Sequence, residues 1–254
     1  MPRRRIWIIT AVIAALLIAG AAVWWFVLRS DAPEAVSLEG AVASVTSSTT
    51  IDATTSSSSP TSSSSSAPST VAEDTPAGVE GEWRLASDGR SFAGYRVEEE
   101  LGTIGFTTAV GRSPEVTGGL TIEDGIVTAV DVVVDMTALR SDDSRRDGAL
   151  RRQALETDTF PEASFELTEP VRLPDAAASG APFTVEAPGE LTLHGVTRSV
   201  VIPLEAQLVE GNVVVVGSLD IAFEDYDIDR PSAAIVLSVD DEGVMEFQLV
   251  FSRP

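Results

Sequence analysis

The chain contains no cysteine, which excludes disulfides and thiolate metal sites. It contains no lysine either: all 17 basic residues are arginine, against 39 acidic ones, for a formal net charge of −22. There is a single histidine, His194. Alone it cannot build a zinc site, and no serine stands in sequence as its partner for a hydrolytic triad. It shares the polar face of its segment with Glu190 and Thr192, and reads as an exposed turn residue. No glycine-rich phosphate loop is present. Asp225-x-Asp227-x-Asp229 opens like a calcium loop, but Arg230 stands where glycine is required and Val236 where the closing glutamate is required. Carboxylates abound, and a pair for glycoside hydrolysis would form only in the fold, so sequence leaves that reading open. The expectation is a protein that is not an enzyme and that carries no cofactor and no metal.

The residues that are present divide into three segments. Residues 1–30 hold an uncharged apolar run, Ile6–Leu28, preceded by Arg3, Arg4 and Arg5. At about 1.5 Å per residue such a run crosses a hydrocarbon core of roughly 30 Å. The arginine bias predicts a cytoplasmic N-terminus, with the rest of the chain outside the cell membrane and Trp24 and Trp25 near the outer interface. A cleaved secretory signal is the alternative; both readings export the C-terminal part of the chain.

Residues 31–80 read as a disordered Ser/Thr/Pro-rich linker. From Ser44 to Thr70, 20 of 27 residues are Ser or Thr. Such a composition buries too little apolar area to offset chain entropy. A flexible coil of this length has a root-mean-square span of roughly 40 Å, enough to lift a domain off a membrane.

Residues 81–254 read as one domain. They carry 13 arginines and 32 acidic residues. A surface of that sign repels nucleic acid and anionic headgroups, so nucleic acid is not an expected partner. The hydrophobic pattern has a period of two. Ile126, Val130, Val132, Val134 and Met136 oppose Asp131 and Asp135. Val200, Ile202, Leu204, Ala206 and Leu208 oppose Glu205 and Gln207. Met245, Phe247, Leu249 and Phe251 oppose Glu246 and Gln248. Each is a strand with one dry face, as in an antiparallel sheet. Glu123-Asp124-Gly125 and Glu210-Gly211-Asn212 are the expected hairpin turns. About eight to ten strands are predicted. One helical excursion, capped by Ser144 and running from Arg145 to about Leu155, interrupts them. The pattern fits an all-β barrel or a two-sheet sandwich, and periodicity leaves open whether a barrel is filled or hollow.

Several motifs then resemble one family. These are Trp83-Arg84-Leu85, Ser91-Phe92-Ala93-Gly94-Tyr95-Arg96-Val97 and Arg146-Asp147-x-x-Leu150. After them come Thr159-Phe160-Pro161-x-Ala163-x-Phe165, Leu191-x-Leu193-His194-Gly195-Val196-Thr197-Arg198 and Ile228-Asp229-Arg230. In this order the motifs resemble the YceI-like family of polyisoprenoid-binding barrels, from about Glu82 to the C-terminus. Arg90 stands where the family often has histidine, and Glu98-Glu99-Glu100 is unusually acidic. The resemblance implies an extended antiparallel lipocalin-like β-barrel with a short helical insert and an apolar tunnel. It also implies a partner: an isoprenoid, an isoprenoid quinone or a fatty-acyl lipid, bound without reaction.

The expected lipid-binding residues are the inward apolar set. They are Tyr95, Phe106, Val132, Val134, Phe165, Leu191 and Leu193, with Ile202, Leu204, Ile221, Phe223, Phe247 and Leu249. Small inward residues, Ala163, Ala187, Gly189 and Ala206, leave room for a ligand. Arg145, Arg146, Asp147, Arg151 and Arg152 form a charged cluster at the helical insert, expected chiefly to pair locally. The rival expectation is a solid barrel serving as a cell-envelope structural or protein-interaction module.

Overall fold

The computed structural model describes residues 32–52, 78–102, 105–230 and 236–254. The expected membrane span, Ile6–Leu28, lies outside the described residues. Among those described, no helix is long and apolar enough to cross a membrane.

An antiparallel sheet closes on itself. In chain order the strands are β1 (Gly81–Leu85), β2 (Phe92–Leu101), β3 (Gly105–Ser113), β4 (Val116–Glu123) and β5 (Ile126–Asp135). They continue with β6 (Arg140–Ser141), β7 (Glu162–Leu167), β8 (Val171–Arg172), β9 (Phe183–Leu193) and β10 (Val196–Val209). The last three are β11 (Asn212–Ala222), β12 (Val236–Val239) and β13 (Glu242–Ser252). The pairing runs β1–β4–β5–β7–β9–β10–β11–β13, and β13 returns to β1 through Arg84 with Ser252 and Leu85 with Phe251. This is an eight-strand barrel. β2 continues the position of β1 along β13, pairing Phe92 with Gln248 and Val244 with Arg96. β3 continues β4 past Pro114 in the same way, alongside β2. The long strands therefore extend the barrel well past the β1–β13 seam.

The hairpins sit where the turn residues predicted them. Asp124, His194 and Glu210 adopt positive φ, and each is followed by a glycine that does the same. Paired left-handed residues match the right-handed twist of flanking strands.

Two local readings are corrected. The alternation of β5 breaks at a bulge opposite Thr121 and Ile122, so that Ile122 faces Val127 while Thr121 faces Ala129. An extra residue reverses the facing of everything before it, so Val127, and not Ile126, lines the interior. The helical insert is two pieces, helix α2 (Ser144–Ala149) and a π-helical turn at Leu150–Ala154. Its cap is Asp143, not Ser144: the Asp143 carboxylate accepts the Arg145 backbone N–H at 2.8 Å.

The largest correction falls in the linker. Leu38–Asp52 forms a helix, α1. Ser37 caps it, its hydroxyl accepting the Gly40 N–H at 3.2 Å. Leu38, Ala41 and Val45, spaced as one helical face, are buried against Val214, Val216 and Val250 on the outside of β11 and β13. The chain ahead of α1 is also held: Arg96 donates to the Pro33 carbonyl at 2.7 Å and Arg112 to the Glu34 carbonyl at 3.0 Å. Both arginines flank Glu246, which is 1% exposed. The Ser/Thr composition concealed a short apolar face, Leu38, Ala41 and Val45, and the strand surface it covers.

Candidate functional site

Strand alternation turns one face of every long strand into the barrel, and there the side chains leave a void. The interior holds a cavity of about 280 Å³. At about 24 cal/mol per Å³, leaving that space empty costs on the order of 7 kcal/mol, comparable to the net stability of a small domain. A void of that size and composition is better explained as a site than as a packing fault.

Aromatic rings that would close the lumen lie flat on its wall. Tyr95 pairs across the sheet with Gly111, and Phe247 with Gly217. A Cβ on Gly111 would meet the Tyr95 ring at 2.4 Å, and one on Gly217 would meet Phe247 at 2.5 Å. Phe165 covers Gly189 at 2.3 Å by the same measure. Glycine removes the side chain on which each ring would otherwise stand, so large aromatics line the wall without filling the barrel.

Twelve of the thirteen expected residues line this cavity. Val132 and Val134 enter from β5 and Phe165 from β7. Leu191 and Leu193 enter from β9, with Ile202 and Leu204 from β10. Ile221 and Phe223 come from the end of β11 and the 3-10 turn after it, and Tyr95, Phe247 and Leu249 complete the set. The exception is Phe106, which is 78% exposed and does not line the cavity. It pairs with Glu100 while Glu99, which does line it, pairs with Thr107, so the inward phase of β3 is odd-numbered. Ala163, Ala187 and Ala206 also line the wall.

Polar side chains are rare on the lining: among the described residues, Tyr95, Glu99, Arg146 and Ser164 alone carry them. Glu99 is 7% exposed and binds the Arg146 guanidinium at 2.5 Å. Arg146 also pairs with Asp142, and Asp147 accepts from the Ser141 N–H and hydroxyl at 2.9 and 2.7 Å. Burial works against the charge on Arg146, but the bond and charge of Glu99 outweigh it and hold the guanidinium above its ordinary pKa. Burial pushes the Tyr95 phenol above its ordinary range. Its hydroxyl is buried and makes no hydrogen bond of good geometry among the described residues; a weak interaction with the Ser141 side chain alone reaches it. Arg145, Arg151 and Arg152 do not line the cavity.

His194 is not the exposed residue expected. It does sit in the β9–β10 turn, but its side chain is only 7% exposed. Its Nδ1 lies 3.0 Å from the Tyr226 carbonyl, its Nε2 lies 3.3 Å from Glu156, and its ring packs edge-on against Phe160. It fastens the turn to the segment after the helical insert. Arg230, from the Ile228-Asp229-Arg230 motif, forms an exposed ion pair with Asp241.

Comparisons with known proteins agree with this geometry. The sequence model of the YceI-like domain matches residues 83–251. A polyisoprenoid-binding domain from Saccharophagus degradans superposes with a TM-score of 0.53 at 19% identity, over 69% of this chain and 99% of that one. BcnA from Burkholderia cenocepacia superposes with a TM-score of 0.52 at 15% identity, over 65% of this chain and 98% of that one. No curated protein matches the sequence.

Proposed function

Because the chain belongs to the YceI-like domain family, we propose that its barrel binds a long apolar lipid, an isoprenoid, isoprenoid quinone or acyl chain, and sequesters or carries it without chemistry. The observation that carries this reading is the cavity itself, about 280 Å³ of space walled almost wholly by hydrocarbon. Burying a methylene there yields about 0.8 kcal/mol, so a tail of a few isoprene units binds tightly through its hydrocarbon alone. The S. degradans domain, described as polyisoprenoid-binding, supports the same choice of ligand class. The expected alternative, a solid barrel, has no support in an interior with this much space.

The proposed setting is the outer face of the cell membrane, with Ile6–Leu28 as a single span and the N-terminus cytoplasmic. Docking of the chain at Pro33 and Glu34 changes what the linker does in this setting. Only Arg29–Ala32 then separate the span from the first residue held on the barrel. At most ~3.6 Å per residue, that is a tether of roughly 15 Å. The barrel is kept against the bilayer, where a lipid has a short path to it, and the Ser/Thr-rich residues 53–77 stand in the chain between α1 and β1.

Thermal melting of the full chain, stripped of lipid and then titrated with a polyprenol, tests the binding. Occupancy at 100 times the dissociation constant stabilises by about 2.7 kcal/mol, a rise of several degrees. An unchanged melt across polyprenols, quinones and fatty acids would remove the carrier reading.

A further inference from the structure

The two ends of the cavity differ. One end, lined by Ile122, Leu173, Phe183, Leu208 and Phe251, offers only hydrocarbon. Strand register puts Glu99 at the other end, close to the helical insert: β2 runs from Ala93, opposite Phe247, towards Leu101, where it pairs with β12. Tyr95, Glu99 and Arg146 gather there, and the Tyr95 hydroxyl is buried with no hydrogen bond of good geometry among the described residues, only a weak interaction with the Ser141 side chain reaching it.

Resting on the lipid-binding reading above, we infer that this end selects a lipid with an uncharged hydrogen-bonding head, a hydroxyl or carbonyl, over a phosphate or carboxylate. Two observations carry it. A buried hydroxyl is costly when its one weak neighbour, the Ser141 hydroxyl, is already bonded to Asp147, and a neutral oxygen arriving with the ligand satisfies it. The guanidinium on the lining is already committed: Arg146 is shared between Glu99 and Asp142. Two carboxylates, buried Glu99 and the more exposed Asp142, thus hold one cation, while Arg145 is turned outward at 85% exposure beside Asp143. An anionic head meets net negative charge here at short range, in surroundings that screen it poorly. An arginine on the wall of a lipid pocket suggests phosphate recognition; its partners here cancel that offer.

The test is a pair of ligands with the same tail, a polyprenol and its monophosphate, titrated against the full chain in detergent at fixed ionic strength. The alcohol is expected to bind at least tenfold tighter, on the order of one close charge interaction. Glu99→Gln leaves Arg146 less compensated and is expected to shift the ratio of the two affinities about tenfold towards the phosphate. Tyr95→Phe keeps the ring over Gly111 and is expected to weaken the alcohol several-fold relative to the phosphate. Phosphate binding equal to or tighter than alcohol binding in the unmodified chain overturns the inference while leaving the carrier reading intact. A ratio unmoved in both variants, each checked by its melt, also overturns it. Failure of both ligands to bind removes the carrier reading, and the inference falls with it.

Discussion

β11 and β13 carry apolar side chains on both faces, and the two faces have opposite fates. Outside, Val214 and Val250 are 0% exposed because α1 lies over them. Inside, Val213, Val215 and Leu249 are just as hydrophobic but border an open cavity. An apolar surface whose partner lies in the same chain is packed shut. One left open, at a cost of several kcal/mol, points to a partner from outside the chain.

That contrast can be broken from either side. Filling the lumen has the largest expected effect. Ala206→Trp places a ring in the cavity and should lower lipid affinity at least a hundredfold, while the lipid-free melt holds or rises; calorimetry on lipid-free protein reads both. Charging the outer face should do the reverse. Val45→Asp puts a carboxylate under α1 and should destabilise its packing by about 3 kcal/mol, seen as faster hydrogen exchange over residues 38–45. Polyprenol affinity measured below the melt should stay within about twofold, because α1 lies on the far side of the wall.

Smaller substitutions act on one face at a time. Gly217→Ala sets a Cβ against the Phe247 ring and drives it off the wall. A loss of about 1–3 kcal/mol in stability and a several-fold loss in lipid affinity are expected together. Ser37→Ala removes the α1 cap and should cost about 1 kcal/mol, confined to exchange of that helix. The smallest effect is the pH dependence of the Asp143 cap. The Arg145 N–H bond holds the Asp143 carboxyl below its ordinary value. A depressed acid contributes stability above its unfolded pKa, near 3.9, and loses it as pH falls through the lower folded value. Urea melts should therefore be flat in this contribution from pH 5 upwards and lose it below pH 4; Asp143→Asn should remove that part of the slope. The Asp143 side chain is 35% exposed and partly screened by solvent, so the change is small.

The barrel was legible because each dry face had to alternate. Val200 to Leu208 and Met245 to Phe251 have that rhythm without interruption, and the inward set comes directly from it. Phe106 was misplaced because β3 offers no rhythm: Thr107 and Gly111, on its inward phase, are not apolar markers. Only register against β2 sets its phase. Gly111 and Gly217 carry no side chain to announce that they hold the lumen open. α1 was hidden by its serines and threonines, yet a signal existed. Val213-Val214-Val215-Val216 breaks the alternation, and a strand apolar on both faces requires a cover on its outer side. The Arg146–Glu99 pair joins residues 47 positions apart, and no spacing rule reaches across that distance.

Native mass spectrometry of the full chain, released gently from the membranes of its expression host, reads directly whether the barrel holds a lipid. The expected result is the protein mass plus one lipid of long isoprenoid or acyl character, released on solvent extraction. A bare mass, unchanged after incubation with polyprenols, quinones and fatty acids, would contradict it.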